Sequence, residues 1–73
     1  MSKEQFSFNK GWLQVKTGDA PEVKRRLMAA LNITTRVAWN KRLKGEVEPK
    51  VSEAKAIQEV FADYQITEVW GAM

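Results

Sequence analysis

Seventy-three residues with 44% hydrophobic and 29% charged side chains suit one folded domain and leave no room for two independent cores. The chain has neither cysteine nor histidine. That excludes disulfides, thiolate zinc sites, a thiol nucleophile and the usual neutral-pH general base, so no enzyme, metal site or cofactor is expected. The net charge of +3 is modest, but its distribution is not even: Lys24, Arg25, Arg26, Arg36, Lys41, Arg42 and Lys44 occupy a stretch with no acid, whereas Glu46, Glu48, Glu53, Glu59, Asp63 and Glu68 follow it with only Lys50 and Lys55. A basic middle beside an acidic end is the segregation expected of a surface that meets phosphate, and also of an ordinary solvated face.

The polar start, Met1-Ser2-Lys3-Glu4-Gln5, lacks the apolar run of a signal peptide, and no stretch reaches the roughly 20 apolar residues that span a bilayer. A cytoplasmic protein without a membrane partner is therefore expected. Residues 1–10 carry Phe6 and Phe8 among polar neighbours and read as a flexible arm, with a single domain over 11–71.

Gly11-Trp12-Leu13-Gln14-Val15-Lys16 alternates and contains β-formers, which predicts a short strand. Asp19 as N-cap, Pro21 in the first turn and Glu22 at capping-box spacing then start a helix over 20–31. Val23, Leu27, Ala30 and Leu31 fall on its apolar face, and Asn32 suits the left-handed residue that ends it. Arg25 and Arg26 point away from that stripe. The hydroxyl pair Thr34-Thr35 opens a second helix over 34–44, closed by Gly45, with Trp39 and Leu43 inward and Val37 expected to pack as well. Its outer arc is assigned to Thr34, Thr35, Ala38, Lys41 and Arg42. After the Glu46–Pro49 loop, Ser52 is the expected N-cap of a third helix over 52–64, in which Ala56, Ile57, Val60, Phe61 and Tyr64 recur at helical spacing. Ile66-Thr67-Glu68-Val69-Trp70 is β-prone, so the two ends offer strand-like segments able to pair, with Trp12 and Trp70 either packing together there or forming an apolar patch. The expected class is thus mostly α, three helices with short strand-like ends, around a core of Leu27, Leu31, Trp39, Leu43, Ile57, Val60 and Phe61.

Two short helices joined through Leu31-Asn32-Ile33-Thr34, the second of them basic, have the organisation of a helix-turn-helix. The sequence resembles the phage-repressor and Cro-like helix-turn-helix family through Leu27–Thr35, then Leu43-Lys44-Gly45-Glu46-Val47-Glu48-Pro49, then Ala56-Ile57 and Phe61, over about residues 20–66. The resemblance implies a sequence-specific regulator of phage or mobile-element type, bound to double-stranded DNA; a homodimer is expected separately, because so small a domain has a marginal core and grips few phosphates. The resemblance makes Thr34 the first residue of the recognition helix and places Thr35, Arg36 and Asn40 where bases are read. Lys41, Arg42 and Lys44 complete the expected DNA-binding set, since arginine can bond two acceptors of guanine and asparagine two atoms of adenine. Two other functions fit the same residues: a protein-interaction adaptor using the Val/Phe/Trp surface, such as an anti-repressor or accessory subunit, and an RNA binder without sequence reading. The latter would interleave exposed aromatics with its basic residues, and that pattern is weak here.

Overall fold

A computed structural model describes residues 4–71. Residues 1–3, which belong to the expected flexible arm and to the polar start, lie outside the described residues. The chain forms a 3-10 turn (Glu4–Phe6), a one-turn helix α1 (Asn9–Trp12), a second 3-10 turn (Thr17–Asp19), and three longer helices, α2 (Ala20–Leu31), α3 (Arg36–Lys44) and α4 (Val51–Ala62).

Helix α2 has the bounds its apolar spacing predicts. Pro21 lies in its first turn, where a missing N–H costs nothing, and Asn32 ends it at φ 56°, ψ 46°. Asp19 does stand at the N-cap, but its side chain makes no capping bond. Val23, Leu27 and Leu31 are buried, whereas Ala30, expected on the same face, is exposed, and α2 packs on α4, which contributes Ile57, Val60 and Phe61. Each such side chain contributes about 1.5–3 kcal/mol when fully buried, so this helix pair is the main source of stability.

Helix α4 starts earlier than expected and stops at Ala62. Lys50, not Ser52, is the N-cap residue: its carbonyl accepts the first helical bond from the Ala54 N–H at 2.8 Å. Glu53 reaches back from the first turn to accept the Lys50 N–H at 2.9 Å. A carboxylate in that position caps the helix, which leaves Ser52 exposed inside it.

The strand-like ends are corrected: among the described residues no strand forms. Residues 9–12 are helical, and 66–70 belong to no helix or strand. The two ends do meet, through the free donors of a helix N-terminus. Asn9 N–H bonds the Ser7 Oγ at 3.2 Å, Lys10 N–H the Gly71 carbonyl at 2.9 Å and Gly11 N–H the Val69 carbonyl at 3.0 Å. Gly71 N–H returns to the Ser7 carbonyl at 2.8 Å, and Lys10 Nζ stands 2.9 Å from Glu68 Oε1. Gly11 permits this approach, because a Cβ there would lie 3.1 Å from Val69 Cα.

This seam enlarges the expected core. Phe8, Ile66 and Val69 are buried with the predicted residues, and Ser7 is fully enclosed. The segment over 7–10 is thus packed into the body, where an arm was expected. Leu43 is half-buried against the core. Trp12 does not join Trp70; it stands edge-on to Trp39 with ring centroids 5.2 Å apart, and Phe8 meets the same indole at 5.5 Å.

Candidate nucleic-acid interface

The link between α2 and α3 is short, and its first two residues are tied back to α2. Asn32 and Ile33 return their N–H groups to the Ala29 and Met28 carbonyls at 3.2 and 3.0 Å, and half-buried Ile33 packs on the core. Thr35 is extended, and its Oγ1 accepts the Ala38 N–H at 3.1 Å. The threonine pair therefore caps the helix as expected, but from Thr35, so Thr34 lies in the turn and α3 begins at Arg36. Gly45 closes it at φ 81°, a conformation that favours glycine.

Three fastenings hold α3 to the body. Trp39 is buried among Phe8 and Trp12, with Lys24 Nζ 5.3 Å from its ring centroid. The Leu43 carbonyl accepts the Ser7 Oγ–H at 2.6 Å. Arg42 forms a two-pronged pair with Glu53 on α4, Nη1 to Oε1 at 3.1 Å and Nη2 to Oε2 at 3.3 Å, with both side chains less than a fifth exposed. The Glu53 carboxyl is held below the ordinary glutamate value of 4.5, first by the Lys50 N–H and then by Arg42.

These fastenings sort the predicted residues. Arg36, Asn40 and Lys44 form one exposed row at i, i+4, i+8, with Lys41 and Val37 beside it. At 3.6 residues per turn the five span about 140° of the helix surface. Thr34 and Thr35 are exposed just ahead of the same helix. Arg42 does not belong to this group, because it faces α4 and its guanidinium is occupied. Ala38 is half-buried, also off the arc. Val37, expected to pack, is 64% exposed and joins the polar row.

The wider basic stretch is partly neutralised. Arg25 pairs with Glu22 and Arg26 with Asp63, each at 2.6 Å, and Arg26 also lies over the Tyr64 ring. Arg36, Lys41 and Lys44 carry no acidic partner among the described residues, and α3 itself contains no carboxylate. What is left is a compact cationic arc on a helix whose opposite side is fixed, with one amide, Asn40, able to donate and accept at once. Sequence reasoning missed the loss of Arg42 because its partner is eleven residues away on another helix. The exposure of Val37 could have been found from the wheel, on which it lies next to Lys41 and nearly opposite the buried Trp39.

Among the described residues no cluster of acidic side chains could hold a metal ion, and no helix is long and apolar enough to cross a membrane. No family model, curated protein or solved structure matches the chain.

Proposed function

We propose that this chain is a sequence-specific double-stranded DNA-binding protein, a transcriptional regulator of the phage or mobile-element type that its sequence resembles, acting at the nucleoid. In this reading α2 and α3 form a helix-turn-helix, and α3 enters the major groove. The observation that carries it is the unpaired arc of Arg36, Asn40, Lys41 and Lys44 on a braced helix. An arc of that kind meets two separate needs: lysines neutralise phosphates at any sequence, and Arg36 and Asn40 supply the paired donors and acceptors that distinguish bases. The activity is binding, with no catalysis, cofactor or metal. One such domain grips few phosphates, so two copies on half-sites about 34 Å apart would give useful affinity.

The test is titration of the parent and of alanine variants against a selected duplex and a scrambled one at two salt concentrations. Lys41→Ala and Lys44→Ala should weaken both complexes alike, lowering the salt slope by about 0.9 for each phosphate no longer neutralised. Arg36→Ala and Asn40→Ala should cost about 1–3 kcal/mol on the selected duplex and little on the scrambled one. If the parent binds neither duplex at low salt, the DNA reading is wrong. A protein-interaction adaptor would then take its place, a reading favoured by one observation: Val51, 88% exposed, borders an apolar groove of about 370 Å³ with Phe6, Pro49, Ala54 and Trp70.

A further inference from the structure

Val37 is the apolar member of an otherwise polar arc. It is the second residue of α3, 64% exposed, with Arg36 before it and Asn40 and Lys41 one turn on. Its position in the fold gives it little to do. A β-branched residue is an indifferent helix former, and this one buries little of itself in the core. Its surroundings also argue against a protein partner, since interface centres are depleted of lysine, whereas the charges around Val37 complement a polyanion.

The major groove offers one apolar group at a base edge, the 5-methyl of thymine. In helices that enter the groove end-on, the first turn lies nearest the base edges, and Val37 is in that turn. We infer that Val37 is a specificity-determining residue that packs against a thymine methyl, beside the base pairs faced by Arg36 and Asn40. The inference rests on the DNA reading above and adds to it a base type and the residue that selects it.

Replacing thymine by deoxyuridine removes that methyl and leaves every hydrogen-bonding group in place. The duplex selected by the parent protein is therefore synthesised with each thymine changed in turn, and Kd is measured for the parent and for Val37→Ala, whose thermal melt verifies folding. Burying one methyl corresponds to about a three- to fivefold change in affinity. At one thymine, uracil should weaken the parent by that factor and leave Val37→Ala unaffected, while Asn40→Ala still feels the loss. A selected duplex without thymine, a parent indifferent to every uracil, or a penalty that persists in Val37→Ala overturns the contact while the DNA reading stands. A parent that binds no duplex overturns both.

Discussion

The pair between Arg42 and Glu53 ties the exposed helix to α4, and its contribution can be worked out before it is measured. Glu53 does two jobs: one oxygen accepts both the Lys50 N–H at 2.9 Å and Arg42 Nη1 at 3.1 Å, and the other faces Nη2 at 3.3 Å. Exposed ion pairs contribute about 0.2–1 kcal/mol, and breaking a buried one costs about 3–5 kcal/mol. With side chains 17% and 19% exposed, this pair lies between those limits. Glu53→Gln keeps an acceptor for the cap and loses the charge, which should cost about 1–2 kcal/mol. Glu53→Ala loses the cap as well and should cost about 2–4 kcal/mol. Arg42→Met keeps most of the apolar stem, so a cycle with Glu53→Gln isolates the pair, with a coupling of about 1 kcal/mol. The assay is urea denaturation followed by tryptophan fluorescence, because Trp39 is buried beside this helix end. Acid adds a second check. The depressed Glu53 carboxyl contributes stability that is complete above its ordinary value of 4.5 and fades as pH falls through the lowered one. The Glu53→Gln protein should therefore lose less stability over that acid range. A coupling below about 0.3 kcal/mol, within the usual additivity error, would show that the pair does not fasten α3.

Phe61, fully buried between α2 and the seam, should cost about 3–5 kcal/mol on truncation to alanine, enough to abolish the cooperative melt of a domain this small by circular dichroism. Gly11→Ala places a Cβ 3.1 Å from Val69 Cα and 3.4 Å from the Phe61 ring, so it should destabilise by about 1–3 kcal/mol despite alanine's better helix propensity; a rise in melting temperature would contradict so close an approach of α1 to the C-terminal segment.

Helix α2 was legible to the residue because apolar spacing, Pro21 and Asn32 all agree on it. The later helices were found with shifted starts. For α3 two threonines competed for the cap, and for α4 a glutamate reaching backward, not the serine, provides the cap. The ends were misread for a physical reason. Alternation around Trp12 and β-prone residues around Val69 describe half-buried backbone, and that backbone can be satisfied by a helix N-terminus as well as by a ladder. Phe8, Ile66 and Val69 belong to no periodic run, so nothing local announced them as core. At the candidate site, the outer arc expected from helix position, Thr34, Thr35, Ala38, Lys41 and Arg42, shares only Lys41 with the exposed row on α3, and Arg36 and Asn40 enter through the resemblance. The removal of Arg42 was not legible, since it depends on a tertiary partner.

Ser7 has a consequence for the order in which the domain comes together and apart. Its side chain holds the last turn of α3 through Leu43, and its main chain holds Gly71, so one residue joins three distant parts of the chain. Closing the span from Ser7 to Gly71 costs about 0.6 kcal/mol more than closing one half as long, which is roughly the stretch across which α2 finds α4. The helix pair thus belongs to the early stages of folding, and the closure at Ser7 to the last. By the same account it is the first part to open in the native state, and when it opens the exposed helix loses one of its three anchors while the α2–α4 core stays intact. Slow amide exchange should accordingly be concentrated in α2 and α4, with faster exchange at Lys10, Gly11 and Gly71.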